Sequence, residues 1–161
     1  MSSGNAPQSK ANPNSPYDPD KSNLLLETFA LEIQMCDQIK DKKRMARIYP
    51  QTMNLDAVIS DPRVMGIIKE CGGKLYMSEK KWELALEEMF DCFKFYQESG
   101  NVRAKNILIY VILASMLCSA QINYADTREA KVYKDDKHII AIVNLRSAYE
   151  KNDIKTIQKI L

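Results

Sequence analysis

VMGIIKECGGKLYMSEKKWELALEEMFDCFKFYQESGN (64–101) reads as two amphipathic helices joined by a short polar turn. Gly73, Tyr76, Ala85, Met89 and Cys92 fall at the offsets of a repeated helical hairpin. In such a hairpin small side chains let two backbones approach and large ones fill the groove between them. One hairpin cannot bury its apolar faces alone, so the stretch predicts neighbours of the same kind on both sides. It points to a stacking module, not to a catalyst.

Immediately upstream, Asp61-Pro62 predicts a helix start. The carboxylate caps free amides, and proline takes the first helical position, where no donor is needed. This helix is expected to run to about Met77, with Val64, Ile67, Ile68, Cys71 and Leu75 inward and Lys69, Glu70 and Lys74 on the outer face. Gly72 and Gly73 would weaken an isolated helix by about 1 kcal/mol each relative to alanine, and close approach of another helix is the simplest reason for them. The next helix, about Glu79 to Glu98, has the clearest period in the chain. Trp82, Ala85, Leu86, Met89, Phe93 and Tyr96 lie on one face and Glu83, Glu87 and Asp91 on the other. Ser99-Gly100-Asn101 ends this helix and starts another, glycine suiting a left-handed C-cap and asparagine an N-cap.

Working outward, Ser22 is expected to cap a first helix from Leu24 to about Lys40, with Leu25, Phe29, Ile33, Cys36 and Ile39 inward. A second, about Asp41 to Ser60, places Met45, Ile48, Met53, Leu55 and Ile59 in the core. Pro50 removes a backbone donor there, which predicts a kink or break near Tyr49. A fifth helix, about Val102 to Ala120, is apolar nearly all round and therefore needs cover on most sides. Gln121 to Asp136 form a polar connection with one helical turn at 127–131. Asp136 then caps a sixth helix, Lys137 to Lys151, and Asn152 a seventh from Asp153. Ile154, Ile157 and Leu161 keep the helical period to the last residue, which predicts a pattern that continues into a larger architecture. Residues 1–21 hold Pro7, Pro13, Pro16 and Pro19 and few large apolar side chains, so they are expected to form a disordered tail. Residues 22–161 form one helical-repeat region. The expected fold is all-α, a right-handed α-solenoid of tetratricopeptide-like antiparallel helical hairpins.

At 161 residues, with 45% apolar side chains and a net charge of +2, the chain can bury a substantial core. It lacks the large basic field that drives non-specific nucleic-acid binding. Cys36, Cys71, Cys92 and Cys118 lie on apolar helical patterns without close partners, and read as core thiols in a reducing compartment, not as a zinc site. The opening MSSGNAPQSK has no apolar run and predicts no secretory signal. The longest apolar run, Ile107 to Ala120, suits a buried helix better than a membrane span. A soluble, intracellular protein is expected.

No phosphate-binding glycine loop, serine elbow or histidine pair is present. His138, the single histidine, reads as exposed or capping. Glu83, Glu87 and Asp91 read as a solvated face, and Trp82 with Phe90, Phe93, Phe95 and Tyr96 as core. No catalytic residue, cofactor or metal ligand is expected. The candidate partner-binding residues are Lys40, Lys42, Lys43, Arg44 and Arg47, cations gathered at a helix–helix turn that could grip an acidic partner or a polyphosphate. The plain alternative is solubility together with favourable placement at a helix C-terminus.

Several strings occur together in one order: LLLETFALEIQM (24–35), DPRVMGIIKECGGKLYM (61–77), FYQESGNVRAKNILIYVILASML (95–117), INYADTREAKVYKDD (122–136) and LRSAYEKNDIKTIQKIL (145–161). They resemble the COP9 signalosome subunit 2 family of PCI-domain proteins over about residues 22–161. Residues 1–21 do not match, and Pro50 stands where the family would keep an uninterrupted helix. The resemblance implies the region where helical repeats lead into a PCI domain. It also implies that the family's basic, cullin-reaching N-terminal repeats, its winged helix and its final helix lie outside this sequence. The implied function is that of a non-catalytic scaffold in a complex that removes the ubiquitin-like modifier Nedd8 from cullins, with the zinc isopeptidase in a different subunit. Implied partners are the other signalosome subunits and, through the complete protein, cullin-RING ligases, in cytoplasm and nucleus. Membrane and nucleic acid are not among them. The alternatives are a PCI scaffold of the proteasome lid, against which ECGGKLYM and INYADTREAKVYKDD speak, and an RNA-associated PCI protein, against which the near-neutral charge speaks.

Overall fold

A computed structural model of the chain describes residues 19–55 and 61–160. These form seven α-helices: α1 (Pro19–Ile39), α2 (Lys42–Met53), α3 (Pro62–Ser78), α4 (Trp82–Glu98), α5 (Ala104–Leu117), α6 (Lys137–Glu150) and α7 (Ile154–Ile160). Two 3-10 turns, Tyr124–Asp126 and Ala130–Tyr133, occupy the connection between α5 and α6 where one helical turn was expected. No strand occurs among the described residues. α1 packs on α2 and α3, α3 on α4, α4 on α5, α5 on α6 and α6 on α7. The fold is thus the expected all-α stack of helical hairpins.

The turns share one geometry. Lys40, Lys80, Gly100, Ser119 and Asn152 each adopt a positive φ, between 52° and 67°, after a helix. In every case the next residue's N–H reaches back to the same helical carbonyl: Asp41 to Cys36, Lys81 to Tyr76, Asn101 to Tyr96, Ala120 to Ser115 and Asp153 to Ala148, at 2.8–2.9 Å. This is a Schellman closure, which satisfies orphan carbonyls and reverses the chain. Two of the turns pass directly into an N-cap, because Asp41 and Asp153 accept from the amides of Arg44 and Thr156; Asn101 accepts from the Arg103 amide in a turn ahead of α5, which begins at Ala104 and not at Val102 as expected. The seventh helix is therefore capped by Asp153 and not by Asn152, whose left-handed backbone makes it the end of the sixth. Asp61 and Asp136 cap α3 and α6 as their sequences require.

Two apolar clusters fill the stack. One joins α1, α2 and α3 through Leu26, Ala30, Ile33, Cys36, Met45, Ile48, Tyr49, Ile68, Cys71 and Leu75. The other joins α4, α5 and α6 around Met89, Phe93, Ile107, Leu108, Val111 and Ile112. The glycines of α3 serve side chains more than backbones. A Cβ on Gly72 would stand 2.2 Å from the Tyr49 ring, one on Gly66 2.4 Å from the Tyr96 ring, and one on Gly73 2.8 Å from the Met89 side chain.

Several expectations are corrected. α1 begins at Pro19, so Ser22 lies within the helix and residues 19–21 are helical; the rest of the expected tail, 1–18, lies outside the described residues. Its buried face runs through Leu26 and Ala30, and Leu25 and Ile39 are exposed. α2 passes unbroken through Tyr49 and Pro50 and ends at Met53, three residues beyond the proline. Only a short helix end follows Pro50, so the lost bond interrupts little. Met53 is exposed, Tyr49 and Thr52 take core places, and Ile59 lies outside the described residues.

The largest correction concerns α3, whose Lys69 and Glu70 are buried at 8% and 3% exposure. Helices stack on both flanks of α3, so its charged side chains are enclosed and must find partners. Lys69 Nζ lies 3.0 Å from Glu88 and 3.6 Å from Asp91 on α4, and Glu88 also accepts the Tyr49 hydroxyl from α2. Glu70 accepts the Tyr96 hydroxyl at 2.6 Å, pairs with Lys74 at 2.7 Å and receives the Arg103 guanidinium from the start of α5. Lys74, half-buried, reaches on to Asp37 of α1 at 3.3 Å. A chain of alternating charge therefore links α1, α3 and α5 beside the apolar core. No buried side-chain nitrogen or oxygen among the described residues lacks a partner.

Candidate interaction surface

The basic residues gather around the turn from α1 to α2, though not as one equivalent set. Lys40, at the left-handed turn position, lies 3.3 Å from Asp37, and the Arg44 guanidinium holds Glu32 of α1 at 2.6 Å. Lys42, Lys43 and Arg47 are exposed and make no ion pair among the described residues. The expected placement at a helix C-terminus holds for Lys40 alone. Lys42, Lys43 and Arg44 occupy the first turn of α2, the positive end of its dipole, where a cation is disfavoured by a few tenths of a kcal/mol. The Asp41 carboxylate offsets part of this by capping that turn.

A feature that periodicity did not reveal adjoins this cluster. α1 is apolar on its solvent side as well: Leu24, Leu31, Met35 and Ile39 are 66%, 68%, 53% and 64% exposed. The signal was present in LLLETFALEIQM, where apolar residues surround most of the helix and only one stripe can face the core.

Other candidates disperse. Glu83 and Glu87 face solvent, while Asp91 pairs with Lys94 at 2.7 Å and reaches Lys69. The His138 side chain is exposed, 3.4 Å from Asp136, and its backbone N–H is capped by that residue. The aromatic rings pack on one another, Phe90 on Tyr124 at 4.9 Å and Phe93 on Tyr133 at 6.1 Å. A cleft of about 540 Å³ between α5 and α6 is lined by Ser115, Asn123, Arg146 and Tyr149 among others. The Arg146 guanidinium inside it donates to the Ala120 and Ile122 carbonyls, Asn123 and Glu150 at 2.7–3.3 Å. It locks the loop after α5. Burial pushes the Cys71 thiol up to about 12 and raises that of Cys92 as well. Among the described residues no group of three His, Cys, Asp or Glu side chains could hold a metal ion, and no helix is long and apolar enough to cross a membrane.

The surface so described belongs to a chain with clear relatives. No protein-family profile matches it. It is 46% identical over 144 residues to COP9 signalosome complex subunit 2 of Dictyostelium discoideum, covering 89% of this chain and 32% of that protein. The subunit 2 of Schizosaccharomyces pombe is 42% identical over 148 residues, 92% of this chain and 34% of that protein. That of Drosophila melanogaster is 43% identical over 141 residues, 88% and 32% respectively. The chain therefore spans about a third of the length of these relatives, and over nearly all of its own length it is similar to the COP9 signalosome subunit 2 proteins.

Proposed function

We propose that the chain is a non-catalytic scaffold subunit of a COP9 signalosome, supporting removal of Nedd8 from cullin-RING ubiquitin ligases through protein–protein contacts. The observation that carries the reading is identity of 42–46% to subunit 2 proteins of three organisms along about nine-tenths of the chain. The stacked hairpins support it, since such arrays present extended outer surfaces on which apolar anchors and charge complementarity give affinity and specificity. Glu83 and Glu87 of α4 face solvent and enclose no substrate, which fits a division of labour in which another subunit breaks the isopeptide bond. Cytoplasm and nucleus follow as its places of work. The second reading, a PCI scaffold of the proteasome lid, would share the architecture, and the strings ECGGKLYM and INYADTREAKVYKDD speak against it.

The test is affinity capture of the tagged full chain from its own cells, with quantitative mass spectrometry of what accompanies it. Signalosome subunits in near-equal amounts support the proposal. Proteasome-lid subunits in their place would favour the second reading, and neither set would contradict both.

A further inference from the structure

α5 is buried along nearly its whole length, and its only exposed positions are Asn106 and Tyr110. Arg103, Asn106, Ile107 and Tyr110 recur three and four residues apart and so share one face. Lys74 of α3 meets that face: these residues and Ile109 line one hollow of about 250 Å³. The donors around it are only partly used. The Arg103 guanidinium reaches Glu70 through Nη2 alone, and its Nε and Nη1 make no hydrogen bond among the described residues. Lys74 Nζ uses two of its three donors, on Glu70 and Asp37. Neither the Asn106 amide nor the Tyr110 hydroxyl has a hydrogen-bond partner among the described residues. In the ion-pair network Asp37 and Glu70 stand against Lys40, Lys74 and Arg103, which leaves one positive charge in excess. The Glu70 side chain is buried at 4% exposure, whereas Lys74 and Arg103 keep 33% and 52%. Solvent therefore meets a cationic rim, with Ile109 and the Tyr110 ring beside it.

We infer that this hollow binds the C-terminal residue of another polypeptide, its carboxylate held by Arg103, Lys74 and Asn106 and its apolar side chain laid against Ile109 and Tyr110. A carboxylate has about four acceptor sites, and the unengaged donors of these side chains can fill them. The single excess positive charge matches a single carboxylate. Size and lining select a chain end. The hollow is smaller than the pockets of about 300–1,000 Å³ that hold drug-sized molecules, so it suits one residue and not a bulky ligand. An internal Asp or Glu would present the charge and leave the apolar wall bare, whereas a terminal residue brings its charge on the backbone and keeps its side chain for that wall. The inference concerns α3 and α5 and holds for whichever complex the chain joins.

The probe is a short acetylated glycine-serine peptide ending in leucine with a free carboxylate, and the control is the same peptide amidated at its end. Both are titrated into the isotopically labelled full chain and followed by amide-correlation NMR. The free acid is expected to shift the amides of Lys74 and of residues 104–110 together with the Arg103 Nε–H signal, and to bind at least roughly tenfold tighter than the amide. That preference shrinks as salt is raised. A glycine in place of the final leucine weakens the free acid by at least about fivefold. Asn106→Asp sets a like charge beside the carboxylate and weakens it by at least about tenfold. Asn106 is exposed and lies in the first turn of α5, where a carboxylate suits the helix dipole, so circular dichroism should be unchanged. Equal affinity for acid and amide, no shift up to about 1 mM peptide, or undiminished binding by the Asn106→Asp chain overturns the inference. So do shifts centred on Lys42 and Lys43, because the charge would then be read elsewhere.

Discussion

Replacing Glu88 by alanine breaks a buried ion pair between α3 and α4. The Glu88 side chain is 9% exposed and that of Lys69 11%, with 3.0 Å between the charged atoms. The same carboxylate accepts the Tyr49 hydroxyl, so it joins α2, α3 and α4. Removing one partner of a buried pair costs about 3–5 kcal/mol, because the other charge stays behind uncompensated. Lys69 keeps Asp91 at 3.6 Å, but that carboxylate is 39% exposed and shared with Lys94. The charge term therefore belongs at the low end of the range, and the orphaned Tyr49 hydroxyl adds about 1 kcal/mol. The expected loss is about 3–4 kcal/mol, a fall in melting midpoint of roughly 6–16 °C for a chain of this size. Lys69→Met combined with Glu88→Leu removes both charges and should recover most of it, to within about 1–2 kcal/mol of the parent. Urea unfolding followed by circular dichroism measures all three proteins. A single-mutant loss below about 1 kcal/mol, or a double mutant no better than Glu88→Ala, would refute the reasoning.

The α3 glycines should separate: Gly72→Ala drives a methyl into the rigid Tyr49 ring and should cost at least about 2 kcal/mol, while Gly73→Ala meets the flexible Met89 side chain and regains helix propensity, leaving stability within about 1 kcal/mol in the same urea assay. Lys80→Gly and Ser119→Gly relieve left-handed strain at exposed turns and should each raise stability by about 0.5–1 kcal/mol. In timed reaction with a thiol reagent, Cys118 should be modified first, since it alone of the four cysteines is not buried, and Cys71 and Cys92 only after unfolding. Lys105 and the His138 amide hold the Asp136 carboxyl down to about 2, and Lys74 with Lys40 lowers that of Asp37 against the opposing effect of burial. A carboxyl held low in the fold contributes stability above its unfolded value and loses it as pH falls, so acid unfolding should begin below about pH 4, and Asp136→Asn should flatten that part of the profile.

What could be read from the sequence was whatever local chemistry decides. Asp61-Pro62, Asp136 and Gly100 carry their meaning in their own side chains or in the lack of one, and the structure places each as read. The turns at Lys40, Lys80 and Ser119 were less legible because residues that rarely take a left-handed backbone hold it there, and only the returning hydrogen bond shows why. Lys69 and Glu70 were misplaced for a different reason. Helical period assigns a charge to the outside unless a neighbour on that side supplies its counter-charge, and Glu88, Arg103 and Tyr96 come from other helices. On α1 the period allowed several faces, and the choice of Leu26 and Ala30 over Leu25 and Ile39 follows from where α2 and α3 lie. The basic cluster was legible as composition, but its division into paired and unpaired cations depends on Asp37 and Glu32, which stand on the preceding helix.

The central claim is that this polypeptide acts by holding other proteins and not by breaking a bond. The measurement that bears on it most directly is a cleavage assay on Nedd8-modified cullin, run in parallel with the recombinant chain alone and with the assembly captured on the tagged chain from its own cells. No cleavage by the chain alone and cleavage by the captured assembly are expected. Cleavage by the isolated chain, or a captured assembly inert toward the modified cullin, would contradict it.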